Sequence, residues 1–246
     1  MSCNLKVEVR ECGDDAQDCV VPELPPDVVQ VWTQVLRVPS PIEQSCYDIL
    51  SAEERERAAR NRAGRPRNDF VVTRGRLRSL AARYLGTAPQ NLSFRYSKHG
   101  KPSLDGPFHL RFNVSHTEDL ALLAFVRTRE IGVDVEKITA ATEARKLAER
   151  FFSVRERGVL ENLSGEELHT AFFRCWTRKE AYVKARGEGL SLPLHQFDVS
   201  VTAGESHALL ATRPDPSEAG RWILRDLPVI PGYAAAVAVA ESVNHD

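Results

Sequence analysis

The sequence predicts an α+β protein of two similar lobes packed against each other, each a small antiparallel sheet with helices. Three observations carry that expectation. Several short stretches alternate apolar and polar residues with the period of a strand. Ser-x-x-Glu boxes at Ser51, Ser153 and Ser164 mark the starts of helices, because the serine side chain caps a free backbone N–H while the glutamate reaches back to the cap. The order strand, helices, strands then occurs twice along 246 residues, a length that suits two small lobes. No clear residue-level repeat joins the halves.

Residues 1–27 carry Glu8, Glu11, Asp14, Asp15 and Asp18 and end at Leu24-Pro25-Pro26. They are expected to form a loosely held extension, with lobes at 28–128 and 129–246. Val28–Leu36 alternates as a first strand that Pro39 and Pro41 end. A helical hairpin follows, one helix starting at Ser51 and the next spanning Asn68–Leu85, where Phe70, Leu77, Ala81 and Tyr84 share a face and Gly86 ends the helix. Leu92–Ser97 leads into Lys98-His99-Gly100-Lys101-Pro102, a tight turn that Gly100 permits and Pro102 stiffens. Leu110–Val114 runs to Ser115-His116-Thr117 at a strand end, where loops commonly carry binding groups. Leu120–Val126 is apolar nearly throughout, as in a strand covered on both faces. Past a strand at Ile131–Lys137, Ala144, Leu147, Ala148 and Phe151 recur at helical spacing. The box at Ser164 begins a long helix that Gly187 terminates, and Gln196–Thr202, His207–Ala211, Trp222–Leu227 and Tyr233–Ala240 supply the closing strands.

Composition narrows the function. A net charge of -1 with 42% apolar residues fits a globular chain with a real core and argues against a nucleic-acid or membrane-surface protein. No apolar run is long enough for a signal or a membrane span, so a cytoplasmic protein is expected. Cys3, Cys12, Cys19, Cys46 and Cys175 show neither a Cys-x-x-Cys pair nor zinc spacing and are expected as reduced thiols. Nine arginines lie between Arg55 and Arg78, and for most of them a solvated helix face balanced by Glu53, Glu54, Glu56 and Asp69 is the simplest account. A nucleic-acid surface there would need interleaved aromatics, which are lacking, and would bind DNA with strong salt dependence.

Chemistry concentrates in two stretches. On the Ile131–Lys137 strand, Asp134 and Glu136 are two residues apart and project the same way. Such neighbours repel, raising one pKa, unless a cation sits between them, and hard oxygen donors suit magnesium that keeps some waters. A polar strand face in water is the alternative. On the long helix, Glu180 precedes Lys184 by one turn. That surface pair is worth only about 0.2–0.5 kcal/mol, but Trp176, Ala181 and Val183 turn this stretch toward a core.

Together with His99-Gly100-Lys101-Pro102, Phe112-Asn113-Val114-Ser115-His116, Phe151-Phe152-Ser153 with Glu156, and Trp176-Thr177-Arg178-Lys179-Glu180-Ala181 with Lys184, these residues resemble the 4'-phosphopantetheinyl transferases of the Sfp type. The resemblance runs from about Ser51 to Leu194 and implies a single-chain pseudo-dimer, hence a monomer, with its ligand site in the cleft between lobes. It implies transfer of 4'-phosphopantetheine from coenzyme A to a serine of an acyl or peptidyl carrier protein, releasing adenosine 3',5'-bisphosphate. Asp134, Glu136 and Glu180 would hold Mg2+, and Lys184 would neutralise phosphate oxygen. Glu180, Asp134 or a metal-bound water would take the serine proton. Coenzyme A would meet Arg57 and Arg74 from the helical hairpin, the loop at Gly100, Lys101 and Pro102, and Asn113, Ser115 and His116, the last two at its 3'-phosphate. A carrier-binding module of the same fold without turnover is the runner-up.

Overall fold

The computed structural model of the protein describes residues 5–13, 23–61, 64–204 and 208–241. The first half runs through β1 (Lys6–Glu11), β2 (Val28–Val35), α1 (Ser40–Asp48), α2 (Ala52–Arg60), α3 (Arg65–Leu85), β3 (Phe94–Tyr96), β4 (Pro102–Leu104), β5 (Leu110–Thr117) and β6 (Leu120–Arg127). The second half runs through β7 (Ile131–Lys137), α4 (Ala144–Phe151), α5 (Val154–Leu160), α6 (Gly165–Arg186), β8 (Phe197–Val199), β9 (Leu209–Thr212), β10 (Trp222–Asp226) and β11 (Tyr233–Ala240).

One sheet has the strand order β1-β2-β6-β5 and the other β10-β11-β7. β2-β6-β5 and β7-β11-β10 are the same antiparallel arrangement made twice, and each half adds a two-stranded ribbon and one long helix. The inner faces pack on each other, with Val29, Val31, Leu122 and Ala124 against Val133, Val135, Val237 and Val239. Helix α3 covers the outer face of the first sheet through Leu77, Leu80 and Ala81 against Trp32, Phe112 and Phe125. Helix α6 covers the second through Ala181, Tyr182 and Ala185 against Ala236 and Ala238. The result is four layers, helix, sheet, sheet, helix.

Period two decides what β7 presents. Ile131, Val133 and Val135 enter the core between the sheets, so Gly132, Asp134 and Glu136 face the other way. A Cβ on Gly132 would collide with the Ala181 carbonyl and the Ala185 backbone; the missing side chain is what lets α6 lie directly on β7. The helix then ends at Gly187 in the left-handed conformation, φ 68°, which glycine adopts without the Cβ penalty.

Several expectations need correction. Within residues 1–27, Lys6–Glu11 forms a strand parallel to β2, and Leu5 and Leu24 are buried. The alternation of Val7 and Val9 inside an acidic stretch was the missed signal; Met1–Asn4 and residues 14–22 lie outside the described residues. Pro41 does not merely end β2 but sits in the first turn of α1, where its missing N–H costs nothing, so three helices replace the expected hairpin. Ser115, His116 and Thr117 continue β5 rather than forming a loop beyond it. The boxes at Ser51 and Ser153 close on Glu54 and Glu156, whereas Ser164 makes no side-chain cap. Of the expected reduced thiols, Cys46 and Cys175 are free, and Cys3 and Cys19 fall outside the described residues, as does His207 before β9.

Candidate active site

β5 and β7 are edge strands of their sheets, and they meet through side chains. Alternate residues of β5 each bond to β7: Val133 N–H donates to Asn113 Oδ1 at 2.9 Å, Ser115 Oγ donates to Asp134 Oδ1 at 2.8 Å, and Thr117 Oγ1 donates to Glu136 Oε2 at 3.2 Å. From α6, Lys184 Nζ donates to Asp134 Oδ1 at 2.6 Å and to Ser115 Oγ at 2.8 Å. Lys184 thus makes its ion pair with Asp134, 50 residues away, and not along its own helix with Glu180.

Asp134 is 3% exposed. Burial pushes its carboxyl above the usual aspartate range against the pull of Lys184 and Ser115. Burial, with the Asp134 charge beside it, raises Glu136 to about 7, and the same two causes raise Glu180. Three carboxyls that disfavour ionisation in one place describe a site short of positive charge. Asp134 Oδ2 is buried without a hydrogen-bond partner, an expensive condition for a carboxylate oxygen. Among the described residues no group of three His, Cys, Asp or Glu side chains stands arranged to hold a metal ion. Even so, an unpartnered oxygen with hard carboxylate donors around it fits a small divalent cation in its chemistry.

Above this cluster lies a cavity of about 690 Å³, lined from the first lobe by Gly100, Lys101, Pro102 and Asn113 and from the second by Glu180 and Lys184. Phe151, Trp176, Leu192 and Leu194 give it one apolar flank. Phe151 is only partly buried there. Lys101 Nζ crosses between the lobes to the Ala185 carbonyl at 2.8 Å and to Glu130 at 2.8 Å, tying the Gly100 turn to the end of α6.

Two sequence-predicted residues are not brought to this cleft. Arg57 and Arg74 line a separate hollow of about 320 Å³ with Arg60, Arg78 and Tyr96. Arg57 is exposed with its guanidinium 5.1 Å from the Phe70 ring centre. Arg74 is buried, bonded to Glu54 and to the Tyr96 hydroxyl. Arg74, Arg76 and Arg78 are all buried, so this part of the arginine run is neither a solvated face nor a nucleic-acid surface. His116 is exposed on the face of β5 opposite Ser115. Partial burial of its ring lowers its pKa, opposed by Asp69 and reinforced by Lys184, so without a ligand the imidazole leans neutral rather than protonated. Sequence reasoning missed Thr117 as a partner of Glu136; its place two residues beyond Ser115 on one strand was the available signal.

No helix among the described residues is long and apolar enough to cross a membrane. Residues 130–238 match a model of the 4'-phosphopantetheinyl transferase superfamily, and residues 39–127 match one described as 4'-phosphopantetheinyl transferase, N-terminal. The chain is 39% identical over 217 residues to the 4'-phosphopantetheinyl transferase HetI of Nostoc sp., covering 87% of this chain and 88% of that protein. It is 34% identical to a putative 4'-phosphopantetheinyl transferase of Synechocystis sp., covering 82% and 80%. To the 4'-phosphopantetheinyl transferase Sfp of Bacillus subtilis it is 29% identical, covering 78% and 83%. With both lobes matched and its length shared with these relatives, the chain belongs to the 4'-phosphopantetheinyl transferase family, enzymes that transfer phosphopantetheine to carrier proteins.

Proposed function

We propose that transfer takes place where Lys184, Asp134 and Ser115 converge beneath the cleft, with coenzyme A as donor and a carrier-protein serine as acceptor. The observation that carries this reading is the buried Asp134, paired on one oxygen with Lys184 and unpartnered on the other, below a cavity to which both lobes contribute. The serine oxygen forms a bond to the pantetheine-bearing phosphorus, the bond from that phosphorus to the bridging pyrophosphate oxygen breaks, and adenosine 3',5'-bisphosphate leaves carrying the bridging oxygen. Such chemistry asks for positioning and charge stabilisation more than covalent help.

The residues divide that work. Lys184 holds positive charge at the phosphate oxygens, and Gly100, Lys101, Pro102 and Asn113 wall the nucleotide side of the cavity. His116 is the residue left to meet a 3'-phosphate, since Ser115 points the other way into the Asp134 and Lys184 cluster; on arrival that phosphate would favour the imidazolium that the free protein disfavours. Glu180 lines the cavity while Asp134 is ion-paired with Lys184, which favours Glu180 as acceptor of the serine proton. Mg2+, held by Asp134, Glu136 and Glu180, would supply the charge that neutralises the pyrophosphate. Arg57 and Arg74 have no part in this proposal. We place the reaction in a cytoplasmic monomer, because one chain supplies both walls of the cleft.

Release of adenosine 3',5'-bisphosphate from coenzyme A, followed by chromatography with and without apo carrier protein and with EDTA, tests the reading. Release that requires both carrier and divalent cation supports it. Release that survives chelation removes the metal from it.

A further inference from the structure

The edge-to-edge contact between the sheets has a construction that backbone pairing alone would not produce. β5 and β7 belong to different sheets, with no backbone ladder between them. A sheet edge exposes unpaired N–H and C=O groups, and direct pairing of these two edges would fuse the sheets. Side chains take the place of that ladder. Asn113 is 5% exposed and its Oδ1 accepts the edge N–H of Val133, one residue before Asp134. Four residues along the same face, Thr117 donates to the Glu136 carboxylate. Ser115 lies between them on Asp134. On β5 the three side chains stand two residues apart on one face, and they meet Val133, Asp134 and Glu136 in the same order along β7.

We propose that Asn113 and Thr117 are positioning residues that bracket the reaction centre: Asn113 fixes the main chain of β7 beside Asp134, and Thr117 orients the Glu136 carboxylate, so that both acids face one divalent cation. The inference rests on the metal reading above and extends it to two residues that touch neither cation nor phosphate in this role. Hydrogen-bond partners of ligating carboxylates set their orientation, and losing one typically costs about 10- to 100-fold in metal affinity or activity. Thr117 is suited to an isosteric test, since valine keeps its shape and removes only the hydroxyl.

The experiment measures Mn2+ binding by electron paramagnetic resonance on the full-length protein without substrates, beside the Mg2+ dependence of transfer and the KM for coenzyme A. Thr117→Val is expected to weaken Mn2+ binding by about 10-fold or more and to raise the Mg2+ requirement in parallel, with KM for coenzyme A at saturating Mg2+ and the melting temperature unchanged. Thr117→Ser, which restores the donor, is expected to recover the affinity. Asn113→Leu orphans the Val133 N–H, so its melting temperature is read first; a folded variant is expected to lose Mn2+ affinity as Thr117→Val does. Thr117→Val with wild-type Mn2+ affinity and Mg2+ dependence overturns the proposal while leaving the metal reading intact. A wild-type protein that transfers phosphopantetheine yet shows no saturable Mn2+ binding overturns both.

Discussion

Glu54 and Glu156 hold equivalent places in the two lobes. Each closes a Ser-x-x-Glu capping box at the start of a short helix, and each spends its carboxylate on cations of the long helix that follows. Glu54 bonds Arg74 and Arg78 of α3; Glu156 pairs with Lys179 of α6 at 2.7 Å and accepts the Val199 N–H at 2.7 Å. Glu156 and Lys179 are essentially without solvent contact. The two halves thus share a buried acid that fixes a short helix to the long helix crossing its sheet.

Removing either acid strands buried cations. Breaking one partner of a buried pair costs about 3–5 kcal/mol, because the charge left behind has neither water nor a counter-ion. Glu54→Ala, which takes the carboxylate from Arg74 and Arg78, and Glu156→Ala, which takes it from Lys179, should each lower the urea midpoint severely or prevent folding. Urea melts check this, and a loss below about 1 kcal/mol, the scale of a surface pair, would contradict it.

Gly132 sets the approach of α6 to β7. Gly132→Ala places a methyl against the backbone of Ala181 and Ala185, and backbone cannot give way as a side-chain tip does. The variant should be destabilised by about 1–3 kcal/mol or more. Its transfer rate should fall further than its folded fraction, since Glu180 and Lys184 ride on the displaced helix. Denaturation and rate measurements on the same preparation separate the two effects.

Lys184→Met keeps an unbranched stem of similar size, one atom shorter, and removes the charge. The variant loses the ion pair to Asp134 and the donor to Ser115. Loss of a group that stabilises transition-state charge costs about 10²–10³ in kcat. Steady-state kinetics should show that fall in kcat, and an unchanged kcat would remove Lys184 from the reaction.

Glu136 gives the metal-free protein a pH dependence of definite sign. Its pKa is raised from 4.5 to about 7, so between those values the folded state binds more protons than the unfolded one. Its contribution to stability is full below the unfolded value and is lost as pH rises through the folded value. Asp134 and Glu180, also raised, act in the same direction. Melting temperatures in EDTA should therefore decline across this window, less so in Glu136→Gln, and Mg2+ should recover stability on the alkaline side by binding the folded state. A wild-type profile that matches Glu136→Gln would contradict the assignment.

How much of this was legible in the sequence depends on the reach of each signal. β7, α6 and its Gly187 terminus follow from local periodicity and caps. The side-by-side carboxylates of Asp134 and Glu136 follow from the two-residue period of a strand. What was hidden depends on distant partners. The burial of Arg74, Arg76 and Arg78 is set largely by packing and, for Arg74 and Arg78, by Glu54 on another helix; a run of arginines by itself reads as surface. The Lys184 to Asp134 pair joins the long helix to a strand of its lobe, and the local rule pointed instead to Glu180. Strand β1 was masked by acidic composition, and α1 by a proline whose effect depends on where in a helix it falls.

The most direct test of the central claim is the intact mass of a promiscuous apo carrier protein after incubation with this protein, coenzyme A and Mg2+, alongside Glu180→Gln and a chelated reaction. The account predicts a gain of one phosphopantetheine per carrier with wild type and its loss in both controls. Full modification by Glu180→Gln, or in the presence of chelator, would contradict the site proposed here.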